Sequence, residues 1–189
     1  MMQPTVLLVP GLRDHVAEHW QTHLEKKLPN ARSVQPLTRD KLSCALRVKA
    51  LDEAVADSPQ PVLLVAHSAG VMMVAHWARA VRRPILGALL VAPPDLENPL
   101  PEGYPQMEDI TRNGWLPIPR QPLPFSSLMA VSTNDPLCSF ERGMELARQW
   151  GSRVVNLGAV GHVNPASGFG EWPRAEALIQ EFALDLVHQ

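Results

Sequence analysis

The sequence predicts an α/β fold in which a mainly parallel sheet is covered by helices on both faces, and three observations carry that expectation. Short runs rich in Val, Leu and Ile alternate with longer segments of helical period. The runs are apolar at consecutive positions, as in strands buried from both sides. The chain has 189 residues, 46% of them hydrophobic and 19% charged, which suits one globular domain with one core.

The expected strands are Val6 to Val9, a weaker run near Ser33 to Gln35, Val62 to Val65, Ile85 to Val91, Leu128 to Val131 and Val154 to Leu157. Helices are expected at 16–28, 41–57, 69–82, 139–150 and 173–187. The last opens with Pro173, whose missing N–H is harmless in a first helical turn. The expectation is thus about six strands and five principal helices within a single domain, 1–189.

One connection breaks the alternation. From Pro93 to Pro124, 32 residues show no sustained helical or strand period, and nine of the chain's 19 prolines fall there. Connections of this kind usually need about 2–6 residues, and long ones in compact domains often carry function. Tyr104, Met107, Trp115, Leu116 and Phe125 give the segment apolar surface to pack, so 93–124 is read as a small cap inserted in the domain.

Composition also excludes function classes. A formal net charge of −2 lacks the basic excess that a nucleic-acid backbone attracts. Two cysteines, Cys44 and Cys138, are too few for a secreted disulfide framework. The apolar run at Val6–Val9 is too short for a signal peptide or membrane span, so a cytoplasmic protein is expected, with neither nucleic acid nor membrane as partner.

The chemistry gathers where strands are expected to end. The run to Val65 continues into Ala66-His67-Ser68-Ala69-Gly70 and then a helical segment. A strand, a turn with serine at its apex and a helix make the context of a nucleophile elbow, in which a strained backbone projects the serine Oγ and small residues two before and two after let strand and helix approach. Ala66 and Gly70 occupy those positions. A plain strand-to-helix turn with Ser68 as helix cap is the bland alternative.

A serine hydroxyl needs a base, and the base needs an orienting acid. Asp135 follows the run Leu128–Val131 and His162 follows Val154–Leu157, giving the order Ser, Asp, His with each at the carboxyl end of a strand. Asp95, after the fourth strand, is the alternative acid, and Asn134-Asp135-Pro136 is also an ordinary turn sequence. For the developing oxyanion, the N–H groups of Ala69 and Leu12 are the candidate donors, with Gly11 allowing close backbone approach. Gly11, Tyr104, Met107 and Trp115 are the candidate substrate-contacting residues.

Three further features are read as structural. His15, His19 and His23 recur every four residues and would share one helix face, but without a zincin glutamate or an acidic cluster no metal site is expected. Cys138 is expected to be a packed thiol near the site. Arg79, Arg82 and Arg83 suit a solvated helix C-terminus.

These motifs resemble the small serine hydrolases related to retinoblastoma-binding protein 9, within the α/β-hydrolase fold. The resemblance rests on V-P-G at 9–11 with His19-Trp20-Gln21, H-S-A-G at 67–70, V-A-P at 91–93, S-T-N-D-P-L-C at 132–138 and G-H-V-N-P-A-S-G-F-G-E-W-P at 161–173. Ala66 departs from the family's usual Gly. The resemblance implies a three-layer α/β-hydrolase-like sandwich of strand order 2-1-3-4-5-6, lacking the first two antiparallel strands of larger relatives. It also implies a triad of Ser68, Asp135 and His162, with Asn164, Ser167, Gly168 and Trp172 holding the His162 loop. The expected function is hydrolysis of a small ester through an acyl-enzyme, with no cofactor. An amidase or aminopeptidase, or a non-catalytic interaction module on the same fold, are the alternatives.

Overall fold

The computed structural model describes residues 3–14, 16–80 and 83–189. The strands are β1 (Thr5–Val9), β2 (Ala31–Ser33), β3 (Val62–His67), β4 (Gly87–Val91), β5 (Ser127–Ser132) and β6 (Arg153–Gly158). The helices are α1 (Trp20–Lys27), α2 (Cys44–Asp57), α3 (Ala69–Ala80), α4 (Met107–Arg112), α5 (Phe140–Trp150) and α6 (Pro173–Val187). The strands pair in parallel in the order β2-β1-β3-β4-β5-β6. That is the architecture expected, with β2 set slightly earlier in the chain and α4 added within the proline-rich connection.

Alternation along each strand builds two cores. Leu7 and Val9 face one side, where Leu51 of α2, Met72 and Trp77 of α3, and Leu146 and Trp150 of α5 are buried. Val6 and Leu8 face the other, against Trp20 and Leu24 of α1 and Leu178 and Phe182 of α6. Successive strand residues point to opposite faces, so a strand apolar throughout must be covered twice. The central strands β1, β3 and β4 are buried at every position.

Two helices come close to the sheet only because glycine lies at the contact. A Cβ on Gly70 would sit 2.3 Å from the Val9 carbonyl oxygen, and one on Gly143 would sit 2.7 Å from Val131. The first approach brings the start of α3 against the end of β1. It therefore draws together the loops that follow β1 and β3.

The connection 93–124 divides between two places. Pro94, Leu96, Leu100, Tyr104, Ile110 and Trp115 line the same cavity as Ser68. Pro119, Pro122, Leu123 and Phe125 instead line a separate groove with Trp77 and Arg83. Trp150 anchors that second half, donating from Nε1 to the Pro119 carbonyl at 2.8 Å and accepting at its own carbonyl from the Leu123 N–H at 3.0 Å.

Candidate active site

Ser68 occupies a left-handed backbone conformation, φ 58°. That region is costly for a residue with a Cβ and persists where the surroundings dictate it. Here β3 pairs with β1 and β4 up to Ala66 and His67, and the Ser68 N–H donates to the Val91 carbonyl at 3.0 Å. Helix α3 then starts at once, with Ala69. The Ala66 methyl is fully buried in the core shared by β1, β3 and α3, so alanine fits two residues before the serine.

The Ser68 Oγ lies 2.7 Å from His162 Nε2, and His162 Nδ1 lies 2.8 Å from Asp135 Oδ2. With the Asp135 carboxylate accepting the Nδ1 proton, Nε2 accepts the serine O–H. The other Asp135 oxygen accepts the Leu137 N–H at 2.8 Å, and only 3% of the side chain is exposed. Asp95 takes no part in this chain: its carboxylate accepts from the Glu97 N–H and Asn98 Nδ2 and faces Arg142.

The loops carrying Asp135 and His162 are tied to each other. Asn134 Oδ1 accepts the Gly161 N–H at 2.7 Å, and Ser132 Oγ accepts the Val160 N–H at 3.2 Å. Beyond His162, Asn164 and Ser167 form a reciprocal capping box on a short 3-10 turn, Pro165–Ser167, closed by Gly168 at φ +90°. Trp172 packs edge-on against Trp20, whose Nε1 donates to the Val163 carbonyl at 2.9 Å.

Two histidines to which the sequence assigns no part in the triad sit directly behind this chain. His67 Nε2 donates to the His162 carbonyl at 2.8 Å, because a carbonyl can only accept. His67 Nδ1 must then accept from His19 Nε2, 3.1 Å away, while His19 Nδ1 accepts the Gln21 N–H at 3.1 Å. Every ring nitrogen has its role fixed with both rings neutral. Burial, followed by the charge His162 carries when protonated, lowers the pKa of His19 to about 4; the same causes, with His19 as a third, push His67 well below the usual histidine range.

His19 therefore does not lie on a shared helix face. It is the N-cap of α1, which starts at Trp20 rather than near residue 16, and its ring turns inward to His67 while His23 lies beside a surface groove with Trp172. His15 lies outside the described residues. Among the described residues no group of three or more His, Cys, Asp or Glu could hold a metal ion. Cys138 is a buried free thiol, pushed up to about 12 by burial and then by the charges of Asp95 and Asp135. Arg83 is not merely solvated, since it pairs with Asp52 at 2.6 Å; Arg82 lies outside the described residues.

Ser68 and His162 open on a cavity of about 320 Å³. Gly11, Leu12, Ala69, Tyr104 and Trp115 line it, but Met107 does not. Met107 is the first residue of α4, and the helical period turns Ile110, three residues on, to the cavity instead. A Cβ on Gly11 would lie 3.4 Å from Ser68 Cβ and 3.8 Å from the Ala69 nitrogen, so the loop after β1 closes directly over the elbow.

Sequence and fold both match known proteins. The family model described as serine hydrolase matches residues 6–181. The chain belongs to the serine hydrolase family. This serine hydrolase is similar to the crystal structure of a putative YdeN-like hydrolase from Pectobacterium atrosepticum, at 32% identity and TM-score 0.81 over 97% of this chain and 92% of that one. It also shares its fold with Est1E from Butyrivibrio proteoclasticus, solved with ferulic acid bound, at 12% identity and TM-score 0.72 over 99% and 90% of the two chains. Alpha/beta hydrolase domain-containing protein 10 from mouse is a further structural likeness, at 15% identity and TM-score 0.72 over 99% and 90%. No curated protein matches the sequence significantly. Among the described residues of this hydrolase, no helix is long and apolar enough to cross a membrane.

Proposed function

We propose that the protein is a carboxylesterase acting on small esters through Ser68, His162 and Asp135. The observation that carries this reading is the hydrogen-bonded chain from Asp135 to Ser68 Oγ, at 2.8 and 2.7 Å, opening on an apolar cavity. Ser68 Oγ attacks the ester carbonyl carbon and its proton passes to His162 Nε2, while Asp135 stabilises the imidazolium without taking a proton. The oxyanion is held by the N–H groups of Leu12 and Ala69, the latter at the positive end of α3. Collapse expels the alcohol, which takes the proton from His162. Water then attacks the acyl-serine by the same route, releasing the acid and restoring the Ser68 hydroxyl. No cofactor enters this sequence of steps.

The segment Pro94 to Trp115 serves as the substrate-facing cap. Preference for esters over aminoacyl amides follows from charge. The one carboxylate among the lining residues is Asp14, and Arg47 already holds it at 3.0 Å, so no carboxylate is left over for a substrate α-ammonium.

A tagged fluorophosphonate should label the wild-type protein and not Ser68→Ala. Absence of wild-type labelling beside a labelled control hydrolase would leave the non-catalytic interaction module as the surviving reading. On labelled enzyme, p-nitrophenyl acetate should turn over faster than alanine p-nitroanilide; the reverse order would make it an amidase.

A further inference from the structure

The loop after β1 has to present the Leu12 N–H to the reacting carbonyl, yet it lies past the last strand hydrogen bonds. At its start the Asp14 N–H donates to the Gly11 carbonyl at 3.1 Å in a turn with Asp14 at φ 55°, and near its end the His19 N–H donates to the Val16 carbonyl at 3.0 Å. The part nearest the serine is held by α2. Arg47, with 3% of its side chain exposed, donates from Nη1 to the Gly11 carbonyl at 3.4 Å and to Asp14 Oδ1 at 3.0 Å, and from Nη2 to the Leu12 carbonyl at 3.2 Å. Its Nε donates to the Lys41 carbonyl at 2.5 Å, which fixes the plane of the guanidinium.

In a trans peptide the C=O and the following N–H point in opposite directions. With the Gly11 carbonyl turned to Arg47, the Leu12 N–H is turned away from it, and Gly11 itself presents its Cα face to Ser68 and Ala69. A rigid fork of donors suits this task, because it holds two adjacent carbonyls and a carboxylate at once, while a lysine ammonium would act as a point charge.

We propose that Arg47 is a positioning residue for the oxyanion: by holding the Gly11 and Leu12 carbonyls and the Asp14 carboxylate, it aims the Leu12 N–H at the oxygen that becomes charged when Ser68 attacks. This rests on Ser68 being the nucleophile. Arg47 touches neither substrate nor serine, so its effect belongs to the transition state and not to ground-state binding.

The test uses Arg47→Lys, which keeps the charge beside Asp14, and the pair Arg47→Met with Asp14→Asn, which removes both charges together. Each is checked for folding by thermal unfolding, then assayed on p-nitrophenyl acetate and titrated with an alkyl trifluoromethyl ketone, which forms a hemiketal oxyanion on the serine, and with the corresponding trifluoromethyl alcohol, which does not. The expected result is a kcat about 10–100-fold lower with KM within about threefold, a misaimed donor costing less than the roughly 100–1,000-fold of one removed outright. Ketone affinity should fall in parallel while alcohol affinity stays constant. Wild-type kcat and ketone affinity in a folded variant would overturn the inference, and so would equal losses for ketone and alcohol, which would mark a collapsed cavity. Failure of the fluorophosphonate to label wild-type Ser68 would instead overturn the hydrolase reading, which is a separate result.

Discussion

Glycine and alanine at the elbow show how finely single residues set this site. Gly70 has no room for a methyl: its Cβ would lie 2.3 Å from the Val9 oxygen and 3.0 Å from the Pro10 oxygen, both backbone atoms that cannot rotate aside. Gly70→Ala should therefore destabilise by about 3 kcal/mol, at the upper end of overpacking costs, and lower turnover by pushing α3 from the Pro10–Leu12 loop. Ala66→Gly removes a buried methyl from a pleated strand and should cost only about 1 kcal/mol. Urea unfolding of the two variants checks the ranking, and equal midpoints would refute it. At this scale the sequence showed what local motifs show. Ser68, Asp135 and His162 were legible because each follows an apolar strand run in a fixed order. Arg47, His19 and His67 were not, since their roles depend on partners such as Gly11, Gln21 and the His162 carbonyl that only the folded chain brings to them. The available signals were His19-Trp20-Gln21 and the His67 of H-S-A-G in the family resemblance, which marked two of the places without their chemistry.

The elements were legible where burial dictates the pattern and obscure where it does not. Central strands apolar on both faces announced themselves, while β2, three residues long at the sheet edge with Arg32 exposed, gave only a weak run displaced by about two residues. The short α4 was missed because Met107–Arg112 buries a single residue, Ile110, and six residues are too few to display a helical period. That residue has a consequence for specificity. If the cap faces the substrate, Ile110→Trp fills the cavity beside Ser68, whereas Met107→Trp, outside the lining, leaves it open. Ile110→Trp should reduce kcat/KM for p-nitrophenyl hexanoate about tenfold or more and leave the acetate within about threefold, in the range expected when a pocket gains or loses a few carbon atoms. Met107→Trp should change neither. A matching loss from both substitutions would show that the helix contributes to stability and not to the acyl site.

Across the whole molecule, the two neutral histidines behind His162 couple stability to pH. His19 titrates near 6.5 when unfolded and about 4 when folded, so between those values the unfolded chain binds a proton that the native protein does not. Its contribution is complete above pH 6.5 and is lost progressively as pH falls toward 4, since stability rises with pH wherever the unfolded state holds more protons. From pH 6.5 to 5 that loss is roughly 1–2 kcal/mol for His19 alone. His67 and His76, lowered chiefly by burial, act in the same direction. The hydrogen bonds locate the cause: a second proton on His19 would replace its acceptor at Nδ1 with a donor facing the Gln21 N–H, and one on His67 would face His19 Nε2. His19→Gln can still donate toward His67 but cannot titrate, so its unfolding free energy should fall by roughly 1–2 kcal/mol less than that of wild type between pH 6.5 and 5. Comparing each protein with itself cancels His76 and the constant cost of the substitution, and His67 stays held low in both, chiefly by its burial. Identical falls in urea-unfolding free energy for both proteins would mean that His19 does not carry the acid sensitivity, and that acid weakens the fold elsewhere.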